Sequence, residues 1–282
     1  APEGFVLPRD ARAWQRAIDR QPQALWIWKP CNGRCGKRIT VLAPMATAEG
    51  AQRVEELSHR RGVVQRYIAN PLLLNGLKFD LRIYVVVVSY DPLKVYMNTE
   101  GLVRLATEKY SADLQFLDAQ TMHLTNYSIN KHSPAFVPNK DCARGQELPE
   151  DTPVASKWSF GELRDYFRRN NLDFDGMFLR IEDLVIKALI AAEPAVLGAC
   201  ETGDALGQSY AGRCFELYGF DVLVDDALKP WLLEVNMYPS LRSDSPLDKR
   251  IKSQLVADTL TLVGLRRAPA GLAADAPGCA PG

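Results

Sequence analysis

The sequence predicts a mixed α/β (α+β) domain, with antiparallel strand pairs flanked by helices. Three observations carry this reading. Residues 77–90 form a long strand-like run that meets a second, residues 93–105, across the turn signal Asp91-Pro92. Residues 215–224 and 230–235 form another pair about the acidic turn Asp225-Asp226. Segments with helical spacing lie before, between and after these pairs. With 282 residues the chain can bury a sizeable core.

Taken in order, residues 9–20 have helical spacing, with Ala13, Ala17 and Ile18 on one side. Residues 25–28 read as a buried strand that ends at Lys29-Pro30, since Pro30 favours an extended residue before it. A polar, glycine-containing loop, CNGRCGKR, leads into a strand over residues 39–42. Strand, glycine loop and strand, with no helix directly after, match neither the dinucleotide fingerprint nor the Walker loop. Residues 46–60 read as a helix, and residues 63–68 as a strand ending before the Asn70-Pro71 turn. After the first long pair, residues 133–156 are polar and proline-rich and read as a mobile loop. Helices are expected over residues 160–170 and 178–192, and an amphipathic helix over residues 247–263. From residue 268 onward the tail is Ala, Pro and Gly and reads as disordered. No internal repeat is visible.

Composition sets outer limits. Lys plus Arg is 34 and Asp plus Glu is 34, so no overall charge favours nucleic acid. No apolar run approaches the roughly 20 residues of a membrane helix. The first residues lack a basic stretch followed by an apolar one, so no signal peptide is expected. Six cysteines at positions 31, 35, 142, 200, 214 and 279 form no CxxC pair. Cys31 and Cys35 have no nearby Cys or His to complete a zinc set, and reduced thiols are the preferred reading.

The informative residues are charges inside strands. In Lys78-Phe79-Asp80-Leu81-Arg82-Ile83, side chains alternate faces, so Lys78, Asp80 and Arg82 share one face and Phe79, Leu81 and Ile83 the other. On pattern alone this is equally a solvated edge face. Asp221 interrupts a second apolar strand, and Glu234 and Asn236 share a face near the end of a third. Buried carboxylates are costly unless paired or bound to a metal. Oxygen ligands from two adjacent strands suit a hard cation such as magnesium, which takes few protein ligands. The competing reading is an acidic cluster neutralised by Lys or Arg from a neighbouring strand. Together these features outline an ATP site between β-sheets, where a carboxylate is activated and an amine displaces the phosphate.

The segments VVQRYIANPLLLNGLKFDLRIYVVV, YMNTEGLVRLATEKY, MHLTNYSINK and FELYGFDVLVDDALKPWLLEVNMYPSL resemble the tubulin–tyrosine ligase-like family. SPLDKRIKSQLVADTLTLVG looks like its glutamylase branch, the tubulin polyglutamylases. The resemblance covers residues 5 to 265 and implies an ATP-grasp fold, with the nucleotide between subdomains and residues 1–267 as the catalytic domain. It also implies that the family's N-terminal subdomain is largely absent.

By motif, the resemblance assigns Lys29 to the ATP phosphates and Gln65, Arg66, Tyr67 and Ile68 to the adenine hinge. Lys78, Phe79, Asp80, Thr125 and Asn126 join the nucleotide contacts, with Arg82 beside them. Asp221, Glu234 and Asn236 are implied magnesium ligands, and Arg104, Glu234 and Asn236 the catalytic groups. Arg104 would grip free L-glutamate, with Tyr127, Ser128, Lys157 and Lys252 around it. For the two lysines the bland reading is a solvated surface.

The sequence departs from the family's Arg-Gly-x-Gly-Ile loop, reading Cys35-Gly36-Lys37-Arg38-Ile39 instead. Arg34 and Lys37 still supply cations, and Gly33 and Gly36 flexibility. The implied activity is glutamate ligation to tubulin tails or similar acidic segments through an acyl phosphate. Alternatives are a glycine or tyrosine ligase of the same family, or a catalytically weak microtubule-binding protein. The implied setting is cytoplasm and cytoskeleton, extending to cilium or basal body, with no nucleic-acid or membrane partner.

Overall fold

The computed structural model describes residues 1–33, 36, 38–139, 155–201 and 214–264. The expected tail over residues 268–282 and most of the expected loop over residues 133–156 lie outside them.

The first part builds a small lobe. Strand β1 (Gly4–Leu7), helix α1 (Ala11–Arg20), strands β2 (Trp26–Pro30) and β3 (Thr40–Leu42), helix α2 (Ala48–Ser58) and strand β4 (Gly62–Arg66) follow in order. Its four-stranded sheet runs β1-β4-β2-β3, with every neighbour antiparallel. Alternation along β2 sends Trp26 and Trp28 to one face, where they join Trp14, Ile18, Val54 and Leu57 of the two helices. Trp14 and Trp26 meet edge to face, with ring centroids 6.2 Å apart. Thus Trp14, with Ala17 and Ile18, anchors α1, and Ala13 is only half-buried. Helix α2 starts at Thr47, whose side chain accepts the Gly50 amide and satisfies one otherwise unpaired donor.

The large lobe is a second sheet with helices on its flanks. Its elements are β5 (Leu73–Leu74), β6 (Leu77–Tyr90), β7 (Leu93–Lys109), short helices α3 (Gln120–His123) and α4 (Tyr127–Asn130), β8 (Lys157–Ser159), α5 (Phe160–Arg169), α6 (Phe174–Glu201), β9 (Glu216–Val224), β10 (Pro230–Asn236) and α7 (Pro246–Leu262). The main strand order is β10-β9-β6-β7-β8, with β5 pairing on β6. One face of β6 buries Phe79, Leu81, Ile83, Val85 and Val87 against α5 and α6. At the far end of the opposite face, Tyr84 and Leu102 pack on Leu247, Ile251 and Leu255 of α7.

Three strands escape the sequence pattern: β1, the two-residue β5 and the three-residue β8. Helix α6 is longer than expected, starting at Phe174 because the Asp173 side chain accepts the Gly176 amide. No helix among the described residues is long and apolar enough to cross a membrane.

Candidate active site

The polar faces of the two sheets look at each other across a cleft of about 230 Å³. β2 supplies Ile27 and Lys29, while β4 and the strand exit supply Gln65, Arg66, Tyr67 and Ile68. The opposite wall is the charged face of the large sheet, with Lys78, Asp80, Arg104, Asp221 and Glu234. Leu124, Thr125 and Asn126, between α3 and α4, close one side. Residues expected together from distant segments of the chain therefore meet.

Register explains how. Asp80 lies opposite Arg104, Arg82 opposite Asp221, and Asp221 opposite Glu234. Arg104 grips Asp80 with bonds of 2.7 and 2.5 Å and reaches Asp221 at 2.7 Å. Arg82 binds Asp221 bidentately at 2.5 and 3.0 Å. Burial works against the Asp221 charge, but Arg104 and Arg82 outweigh it and hold its carboxyl down to about 2. Neutralisation by neighbouring strands and juxtaposition with a second carboxylate thus occur at the same residue.

Glu234 owes its place to a β-bulge. Strict alternation from Leu232, which opposes Val222 on the core side, would send Glu234 and Asn236 to the core as well. The register shifts between Leu232 and Glu234, and both then fall on the cleft face. Asn236 donates to Glu234 at 3.2 Å and to the Gly219 carbonyl at 3.3 Å. Glu234 opens to solvent on one side. Desolvation by the surrounding protein and the nearby Asp221 charge nevertheless push its carboxyl above the ordinary range. Among the described residues no group of three or more His, Cys, Asp or Glu side chains is gathered for a metal.

At the base of the cleft the hydrogen bonds have a fixed direction. His123 Nε2 lies 2.9 Å from the Phe116 carbonyl, which can only accept, so this nitrogen carries the proton. Nδ1 then accepts from the Tyr67 hydroxyl at 2.8 Å, and Tyr67 accepts from Lys78 Nζ at 2.9 Å. The Lys78 ammonium also lies 4.4 Å from the centre of the Tyr67 ring. Burial pushes Lys78 down to about 7, with the Asp80 charge opposing. Burial likewise lowers Lys29, whose ammonium donates to Gln65 Oε1 at 2.8 Å. The sequence reading passed over His123, although it stands in the MHLTN segment and is one of three histidines in the chain.

Other expected residues sit elsewhere. Phe79 is fully buried in the apolar core on the reverse of the sheet, because alternation turns it away from Lys78 and Asp80. Arg82 stands behind Asp221. Tyr127 and Ser128 begin α4, beside the cleft. Lys157 faces Arg104 across β7 and β8, and both Lys157 and Lys252 are buried around Asp248, which was not anticipated. Of the glycine loop, Arg34, Cys35 and Lys37 lie outside the described residues. Gly36, at φ +77°, packs so tightly on Asn126 that an added Cβ would lie 2.7 Å from its Oδ1. Arg38 adopts φ +63°, a left-handed conformation suited to glycine.

Two sheets closing on a cleft of cations and carboxylates define an ATP-grasp-like α/β fold. The chain belongs to the tubulin-tyrosine ligase family, whose model matches residues 1–270. It is 40% identical over 266 residues to the human protein named tubulin polyglutamylase TTLL5, covering 93% of this chain and 19% of that one. It is 40% identical over 267 residues to human tubulin monoglutamylase TTLL4, covering 93% and 20%. Against Caenorhabditis elegans tubulin polyglutamylase ttll-5 the identity is 41% over 276 residues, covering 93% and 35%. The chain therefore spans about a fifth of the human relatives and about a third of the nematode one.

Proposed function

We propose that this chain is the catalytic core of an ATP-dependent ligase that joins L-glutamate to glutamate side chains of tubulin or a similarly acidic protein, through an acyl phosphate. The observation that carries the reading is the meeting of the Asp221–Glu234 pair with Lys29, Lys78 and Arg104 in one cleft between two sheets. Relatives whose names specify glutamylation support glutamate over glycine or tyrosine.

In this reading Lys29 and Lys78 face the phosphates, and Gln65, Arg66, Tyr67 and Ile68 line the adenine. Thr125 and Asn126 hold the nucleotide from the side. Asp221, Glu234 and Asn236 would hold magnesium, which supplies charge neutralisation on the phosphates. Two facing carboxylates on adjacent strands, one pushed above its ordinary range by burial and then by the charge of the other, fit a divalent cation. Arg104 takes the free amino acid from within the cleft, with Tyr127, Ser128, Lys157 and Lys252 adjoining. Positioning and charge complementarity then provide most of the catalysis.

A binding-only member is the competing reading, resting on the departure at Cys35 and Arg38. Arg38 nevertheless keeps the backbone conformation a glycine would adopt there. The reading places the protein in the cytoplasm on the cytoskeleton, extending to the cilium or basal body.

The test is incorporation of labelled glutamate into tubulin with ATP and magnesium. Incorporation is expected, and Glu234→Gln is expected to abolish it while folding is retained. No incorporation by a chain that binds tubulin normally sinks the enzyme reading; full activity of Glu234→Gln removes the metal role.

A further inference from the structure

Beside the cleft lies a second charged cluster that the nucleotide reading does not use. Asp248 has no exposed surface. Its Oδ2 takes a bond of 2.7 Å from Lys157 on β8 and one of 2.8 Å from the Ser245 hydroxyl. Lys252, one turn along α7, approaches its Oδ1 at 2.9 Å and also donates to the Arg242 carbonyl. The Lys157 ammonium rests 3.9 Å from the centre of the Tyr127 ring. Burial pushes the Asp248 carboxyl up, but the bonds from the two lysines outweigh it and keep it low.

A helix cap alone does not account for this arrangement. Ser245 already accepts the Asp248 amide and caps α7. Burying ions is a poor route to stability, and here two ammoniums meet one carboxylate. The next acid, Asp244, is exposed and forms no ion pair with either lysine among the described residues. One positive charge is left over. An ammonium has three donors, and the contacts above occupy one on Lys157 and two on Lys252. The unmatched charge lies beside Arg104, whose cross-strand partner is Lys157.

We infer that Asp248 is a positioning residue that draws Lys157 and Lys252 into a single receptor for one carboxylate of the free amino-acid substrate. The inference rests on the ligase reading and deepens it, since Asp248 sets how much charge the amino-acid side of the site presents. Without Asp248 the two ammoniums repel and separate.

The experiment measures L-glutamate binding to the 282-residue chain by calorimetry, with a non-hydrolysable ATP analogue present, for wild type, Asp248→Asn and Asp248→Glu. Asp248→Asn should weaken glutamate binding by about tenfold or more, leave binding of the analogue within about twofold, and be partly rescued in Asp248→Glu. In turnover the same variant should raise KM for glutamate more than it lowers kcat. Wild-type glutamate affinity in a folded Asp248→Asn protein overturns the inference. Wild type that binds the analogue but no glutamate overturns the ligase reading, and this inference with it. If Asp248→Asn does not fold, Ser245→Ala loosens Asp248 without changing charge. It should weaken glutamate binding severalfold, and unchanged affinity there also overturns the inference.

Discussion

The two faces of the large sheet have opposite chemistry, yet they share one strand. On one face of β6, Phe79, Leu81 and Ile83 are fully buried among α5 and α6. On the other, Lys78, Asp80 and Arg82 are linked to Tyr67, Arg104 and Asp221. The apolar face is held by area removed from water, which is non-directional and tolerates changes of shape. The charged face is held by a chain of partners, each needed to satisfy the next. The first face is built for stability, and the second keeps costly charged groups along the cleft.

The largest break in this comparison is Asp221→Ala. It leaves Arg82 and Arg104 buried without their shared partner and should cost about 3–5 kcal/mol, read from the shift in urea midpoint. A loss below about 1 kcal/mol would show that the arginines find water or other partners. Next comes Tyr67→Phe, which removes the hydroxyl between Lys78 and His123. About 1–3 kcal/mol should be lost, and the nitrogen-15 shift of His123 Nδ1 should move as it loses its donor, while the Nε2 proton stays held by the Phe116 carbonyl. Ile83→Val, on the apolar face, should cost about 0.5–1.5 kcal/mol and leave binding of an ATP analogue unchanged. Altered nucleotide affinity in that variant would mean the faces are coupled.

A separate effect concerns pH. Lys78 is held near 7 in the fold, below its ordinary value, so between pH 7 and 10.5 the unfolded chain carries a proton the folded one lacks. Stability should therefore rise with pH across that window, with the cost fully present below it. The deficit of wild type relative to Lys78→Met should narrow from pH 7 to 9.5 in denaturant titrations. A constant difference would mean Lys78 titrates normally.

Legibility in the sequence follows the same divide. Alternation along β6 is visible because it obeys the two-residue period, and it places all six residues from Lys78 to Ile83 on their observed faces. Asp221, Glu234 and Asn236 stand out as polar residues in apolar strands. The bulge that brings the last two onto the cleft face breaks the period and leaves no mark in the residue pattern. Lys252 can also be read as a solvated helix residue, and only the tertiary position of Asp248 buries it. His123 is invisible for a related reason, since its partners Tyr67 and Phe116 are joined to it by folding rather than by spacing. Residues 174–177 lie before the expected helix, and the Asp173 side chain that accepts the Gly176 amide adds them to it.

Tyr67 has one further consequence. Its backbone amide is tied to the Leu25 carbonyl in the small lobe, and its hydroxyl to Lys78 and His123 in the large one. It is therefore a rivet through both halves. Any parting of the lobes at this point must break the bonds to Lys78 and His123, so one phenolic oxygen joins the integrity of the small lobe to the charge state of the large one.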